Sequence, residues 1–423
     1  MIGAPPPLPL ARNPVSAALA GSSVLVARRG SEQLRVSAVP AIGGDGRPVF
    51  SFRAPADWDV SIRLAASPSR AVASVERSRV SDLDSDVVQT FIGPALGPWT
   101  ALGPLEHDNE AAFPLREQVE GDTVFTTVAR PRDGEATVVV RDPNPRELPL
   151  PSDASSAIFA GDLVAYEVRK PTEERPLNSS VVVANWHTGA VQRVVEFPDG
   201  IDLLQALRAD GRFVVTLGEN DDVYDVRPGH SPQRLTHNRG FPPLNPARYA
   251  GEYLVFRVDN RLRVLDPDGH VRAFGTPTAQ LDGFSTDDTR VLWWANDCLM
   301  IAPVTAPAAR TPGKGPCPRS EIEIDNSADS KLAPTLPVRL HCVTAPSRCH
   351  GTLWLRAGST RDRTISVHRR YAIQAGRTRT IRVRLTTGGY AVLRRLGSAT
   401  VVIRGDDGDR FGRYGDHGIR IET

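Results

Sequence analysis

Cysteine is absent from the first 297 of 423 residues and then occurs four times, at Cys298, Cys317, Cys342 and Cys349. Lysine is almost absent as well: Lys170, Lys314 and Lys331 are the only lysines among 51 basic residues. That arginine bias, with abundant alanine and few methionines, matches GC-rich codon usage. The net charge of +2 leaves no whole-chain basic footprint of the kind a nucleic-acid binder carries. No stretch approaches the roughly 18–20 continuous apolar residues of a membrane-spanning helix. Gly-x-Ser-x-Gly, Walker, His-Glu-x-x-His and dinucleotide-binding motifs are all missing, so no catalytic residue and no cofactor is assigned. The opening segment MIGAPPPLPLARNP has neither the charged nor the apolar region of a secretory leader.

What is present is a repeat. A small or turn-forming pair followed by a β-branched, apolar strand recurs at Ala20, Ala66, Glu120, Ala160, Ala209, Ala250 and Thr286. The spacings are 46, 54, 40, 49, 41 and 36 residues, each the length of a four-stranded propeller blade. A second hairpin follows in several units, around Asp266-Pro267-Asp268-Gly269, His187-Thr188-Gly189 and Pro228-Gly229. Turn residues that accept left-handed or fixed dihedrals, between alternating strands, are hairpin chemistry. Stacking such sheets radially buries each between two neighbours. The expected architecture is all-β: about seven blades over residues 15–305, preceded by a proline-rich tail, 1–14. Because prolines cannot donate ladder hydrogen bonds, that tail can supply only an edge strand.

Ala209-Asp210-Gly211-Arg212, Val223-Tyr224-Asp225-Val226 and Pro232-Gln233-Arg234-Leu235-Thr236 resemble the TolB-type, WD-like propeller repeat. In that family an Asp-Gly turn opens one hairpin and an Arg-Leu-Thr ending closes the next. The resemblance implies a propeller and a binding platform in the bacterial envelope; it implies no activity.

Residues 306–316, rich in proline and alanine, read as a linker. Beyond them seven short alternating strands over 317–423 fit an immunoglobulin-like β-sandwich, with a helical turn at Tyr390–Leu396 between its sheets. Cys317-Pro318 and Cys342…Cys349-His350-Gly351 resemble the C-terminal β-domains of secreted actinobacterial propeller proteins, which implies architecture and export.

An even number of cysteines in a chain that otherwise avoids them favours disulfides and an oxidising compartment over free thiols. Cys342 and Cys349 flank a short turn, close enough to staple a hairpin, and Cys298 and Cys317 would then pair across the linker. Zinc is the competing reading, since His341 and His350 adjoin Cys342 and Cys349, but the tight cysteine pairs of zinc sites are missing. Export is expected from the cysteines, with any leader upstream of this start or already removed.

His107, His187 and His237 fall in expected loops and are the histidines best placed to bind or react. Asp82, Asp84 and Asp86 read as solvated loop charge rather than a calcium loop. Two function classes remain: an extracytoplasmic, non-catalytic binding or scaffold propeller, and a propeller hydrolase or lyase acting on an envelope polymer or glycan. Histidines on both rims would count against the second. The chain is expected to be a monomer whose partner is a protein or an envelope polymer.

Charge is divided unevenly. From Pro316 onward 19 basic residues face 10 acidic ones, a net of +9, leaving −7 for the rest of the chain. Strand alternation over 378–385 puts Ile381, Val383 and Leu385 on one face and Arg382 and Arg384 on the other, with Arg339 and Arg356 extending the basic stripe. Such a stripe reads first as codon-biased surface solubility, and the sharper alternative is docking to a peripheral anionic polymer or lipid surface or to the propeller of a second copy.

Overall fold

A computed structural model describes residues 7–422 apart from 13, 30–32, 54–57, 80–81, 107–112, 130–135, 143–145, 149, 152–153, 170–177, 218–221, 238–246, 259–260, 277–280, 296–297, 310–320, 325–329, 345–347, 358–362 and 406–417. Among the described residues the first three-quarters of the chain forms seven four-stranded antiparallel sheets. The first sheet comprises Ser16–Ala20, Ser23–Arg29, Gln33–Pro40 and Arg47–Arg53. The second comprises Trp58–Ala66, Arg70–Arg79, Asp82–Pro94 and Thr100–Glu106. The third comprises Phe113–Glu120, Thr123–Ala129, Ala136–Asp142 and Arg146–Leu148. The fourth comprises Ala154–Ala160, Leu163–Arg169, Ser179–Asn185 and Val191–Phe197. The fifth comprises Leu203–Leu207, Phe213–Leu217, Asp222–Val226 and Gln233–Arg234, and the sixth Ala247–Ala250, Tyr253–Val258, Arg261–Leu265 and Val271–Phe274. In the seventh, Gly283–Thr286, Arg290–Ala295 and Cys298–Pro303 are completed by Leu8–Arg12 from the other end of the chain.

The first strands of successive sheets touch in cyclic order, and the seventh returns to the first. The sheets therefore close into a ring, which is a β-propeller. All seven sequence anchors are turns between the first and second strands of their sheets. The N-terminal tail is part of the ring: Leu8–Arg12 is the outermost strand of the seventh sheet, with its register shifting between Pro9 and Ala11. Asp82, Asp84 and Asp86 lie at the start of a strand, Asp82–Pro94, and not in a loop.

Apolar faces meet between neighbouring sheets. Val24 and Val26 pack with Leu292 and Leu299 where the ring closes, and Ile158 and Val183 pack with Phe213 and Val215 between the fourth and fifth sheets. Phe125 stacks on Phe159 with centroids 3.7 Å apart. Each such side chain, removed from water, contributes about 2 kcal/mol. Polar ties between successive turns add direction: Gly161 N donates to Glu120 Oε1 (3.1 Å), Thr286 Oγ1 to Tyr249 O (2.7 Å), and Arg290 Nη2 to Gly21 O. Gly251, at φ +58°, lets the sixth turn approach the seventh; a Cβ there would stand 2.6 Å from Asp288 O.

Among the described residues the C-terminal domain has two sheets. Glu321–Ile324, Thr335–Thr344 and Thr378–Arg384 form a three-stranded sheet. Arg348–Ala357 is central in the other, flanked by Arg369–Gln374 and Arg363–Thr364 on one side and Ser398–Gly405, Gly418–Glu422 and Ser330–Lys331 on the other. Leu336, Val338 and Leu340 from the first sheet and Leu353, Leu355 and Ile373 from the second share one buried core.

The expected helical turn is a full helix, Thr387–Leu396. Thr386 caps it by accepting from Gly389 N, Gly397 ends it in the left-handed region, and Arg394 and Arg395 sit at the negative end of its dipole. Gly389 is required sterically, because a Cβ would lie 2.0 Å from Ile365 O.

Candidate functional site

Within the ring the strongest polar constellation is in the fifth sheet. Register places Asp225 opposite Val214, and Arg212, just before that strand, reaches across. Its Nε and Nη2 donate to the two oxygens of fully buried Asp225 at 2.6 and 2.7 Å. Arg227 Nε donates to Asp225 Oδ2 (2.9 Å), and Tyr249 OH, from the sixth sheet, to Oδ1 (3.3 Å). Burial, reinforced by the Asp225 carboxylate, pushes the Tyr249 phenol well above its ordinary value. Burial alone would lower the Arg212 pKa; the bond and charge of Asp225 outweigh it and raise it. Asp225 accepts from two arginines of its own sheet and from Tyr249 of the next, so the network ties two sheets together. Beside it a pocket of about 310 Å³, lined by Arg208, Asp210, Arg212, Arg227, His230 and Glu252, mixes charges of both signs.

His187 and His237 do not converge. In a ring of antiparallel four-stranded sheets, turns joining strands one to two and three to four lie on one rim, and the remaining connections on the other. His187 is in a three-to-four turn, where its Nε2 meets Asp162 at 3.2 Å and its ring lies against Trp186. His237 follows the outermost strand of the fifth sheet, on the opposite rim, and is exposed. His107 lies outside the described residues. Thus His187 and His237 cannot serve one reaction centre.

In the C-terminal domain, Cys342 and Cys349 are joined in a disulfide with Cα atoms 5.8 Å apart. The expected staple across one hairpin is corrected: the two cysteines belong to different sheets, so the bond links the layers through the core. Sulfurs joined to each other leave no thiolates for zinc beside His341 and His350. Cys298 is also disulfide-bonded, whereas Cys317, its expected partner, lies outside the described residues.

Arg382 and Arg384 are exposed, and Ile381, Val383 and Leu385 are buried. Arg339 is exposed beside Thr380 on the same sheet. Arg356 does not extend this stripe: it belongs to the other sheet, 5.7 Å from the Trp354 ring, which stacks on His368 at 4.7 Å. Sequence reasoning missed a larger feature. Arg348, Arg369, Arg370, Arg379 and Arg382, with His350, line a slot of about 570 Å³. Among the described residues none of these five arginines has a carboxylate at ion-pair distance. The available signal was compositional: from Arg348 to Arg404 there are thirteen arginines and one acid, Asp362.

The fold defines a β-propeller protein with an appended two-sheet β-domain. No family model matches the chain, and no curated protein matches its sequence. Among solved structures it is similar to the β-propeller domain of the trilobed protease from Pyrococcus furiosus, at 12% identity and a TM-score of 0.46, covering 67% of this chain and 92% of that one. It is also similar to a catalytically inactive virginiamycin B lyase from Staphylococcus aureus (12%, TM-score 0.41, 70% and 98%). A third likeness is to the WD40 domain of SCAP from fission yeast (9%, TM-score 0.37, 69% and 84%). The ring architecture rests on this chain's own strand order and inter-sheet contacts.

Proposed function

We propose that this chain is an exported, non-catalytic binding protein. A seven-bladed propeller of the TolB or WD-like kind offers its turns as a platform. An immunoglobulin-like domain docks to an anionic partner at the cell envelope through a surface that includes Arg382 and Arg384. On this reading Cys298 pairs with Cys317 and ties the second domain to the last blade.

The observation that carries export is the oxidised state of the cysteines: Cys342 is bonded to Cys349, Cys298 is in a disulfide, and no cysteine among the described residues is free. Disulfides persist in oxidising compartments and are rare in reducing ones. Placement of His187 and His237 on opposite rims supports binding over catalysis. Alkylation of the chain from its natural compartment, denatured without reductant, is expected to label no thiol. Four labelled cysteines would overturn both export and the pairing.

A further inference from the structure

The two sheets of the C-terminal domain meet along the basic slot, between Arg369–Gln374 and Thr378–Arg384. The strands are joined at one end, where Arg377 N donates to Gln374 O (3.0 Å), and at the other, where Val367 N donates to Arg384 O (3.0 Å). Between those ends no backbone hydrogen bond joins them among the described residues. The Arg379 side chain crosses, its Nη1 donating to Ala372 O at 3.1 Å.

Alternation in antiparallel ladders then fixes which backbone groups face the slot, the Ala372 carbonyl among them being the one that Arg379 already occupies. Carbonyls at Ala372 and Arg384 point away from their own sheets, so Arg370 and Ala372 on one lip and Thr380 and Arg382 on the other turn their N–H and C=O groups into the slot. Such edges are templates for another strand. The guanidiniums add charge along the same line. Side chains on one face of a strand recur at about 6.6–6.8 Å, the spacing of Arg382 and Arg384 on one lip, while across the slot Arg348 stands two rows from Arg370 with His350 between them.

We propose that this slot binds an extended acidic peptide segment of a partner protein, with Asp or Glu at alternate positions. Its backbone pairs with an open lip and its carboxylates take the arginine forks. The proposal rests on the anionic docking argued above and adds the occupant: a phosphate polymer or lipid surface matches the charge but has no amides to pair with the lips.

The test uses the full chain at low salt and a fluorescent, blocked hexapeptide of alternating Asp and Thr. Parallel arms use the same peptide with alternate amides N-methylated, and polyphosphate of equal charge. Binding of the plain peptide is expected to weaken about tenfold on N-methylation, and about tenfold in Arg370→Gln or Arg382→Gln, the loss of roughly one charge-assisted hydrogen bond. Arg47→Gln in the ring serves as the control with no effect, and the Cys342–Cys349 bond is verified by mass in every variant. Equal binding of the N-methylated peptide or of polyphosphate would overturn the peptide assignment and leave anionic docking standing. Failure of every anion to bind would overturn both. A chain that sediments as a dimer, dissociates with Arg382→Glu and ignores the peptide would assign the slot to a second copy instead.

Discussion

The ring and the C-terminal domain use arginine in opposite ways. In the ring, four arginines meet carboxylates of their own sheet, Arg212 with Asp225, Arg234 with Asp222, Arg272 with Asp266 and Arg290 with Asp287, and Arg193 and Arg248 donate to backbone carbonyls. Several then donate onward to a neighbouring segment, as Arg272 does to Ala306 O (2.8 Å). In the C-terminal domain Arg348, Arg369, Arg370, Arg379, Arg382 and Arg384 have no carboxylate partner among the described residues. The same side chain is a structural tie where acids surround it and an unspent recognition group where they do not. Desolvation decides the difference: a buried guanidinium needs a partner to be tolerated, whereas an exposed one keeps its water until a ligand replaces it.

That contrast is broken most directly at Asp225. Asp225→Ala leaves Arg212 buried beside Arg227 without its counter-charge and is expected to cost about 3–5 kcal/mol in urea unfolding. A loss under 1 kcal/mol would mean that the network contributes no cohesion. Cys342→Ala with Cys349→Ala removes the cross-layer bond of the other domain. Closing a loop of this size contributes about 2.5 kcal/mol by the chain-entropy relation, and the loss should appear as a lower C-terminal transition midpoint. Arg382→Gln, by contrast, is expected to change stability by less than about 0.5 kcal/mol, as an exposed residue without structural partners. A large loss there would assign the slot arginines a structural role.

The smallest effect concerns pH. Burial, aided by the Asp288 charge and opposed by the Gly161 N–H, raises the Glu120 pKa above 4.5. The folded ring therefore holds this proton after the unfolded chain has released it, so stability falls as pH rises through the interval just above 4.5. Glu120→Gln is expected to flatten that part of the stability–pH curve. An unchanged slope would place its origin elsewhere.

Much of the ring was legible because its information is local. Each anchor pairs a turn with a β-branched strand, and the sheet register follows within a few tens of residues. The closing strand was less legible: Leu8–Arg12 pairs with Cys298–Pro303, nearly the full length of the ring away, and Pro9 weakens its strand signal. The helix begins at Thr387, ahead of the expected Tyr390, because Gly388 and Gly389 read as breakers while the Thr386 cap and the tight packing on Ile365 make Gly389 necessary.

Cross-layer placement of Cys342 and Cys349 was hidden for a different reason. Consecutive strands separated by a short turn look like a hairpin, and only the tertiary pairing of Thr335–Thr344 with Thr378–Arg384 puts them in separate sheets. The slot had no motif, only the arginine-rich, acid-poor composition of residues 348–404. Arg348 and Arg379 are distant in sequence and meet only because two edge strands splay between two pinned ends.

Charge reversal in the two regions, compared on one anionic matrix, tests the division of labour most directly. The full chain is applied to an anionic matrix, such as polyglutamate on beads, and eluted with a salt gradient. Arg382→Glu with Arg384→Glu is expected to elute at markedly lower salt than the unaltered chain, whereas Arg47→Glu with Arg261→Glu, equal in charge change but placed on the ring, should shift little. Equal shifts for the two pairs would contradict the account, because retention would then follow net charge and not the C-terminal arginine surface.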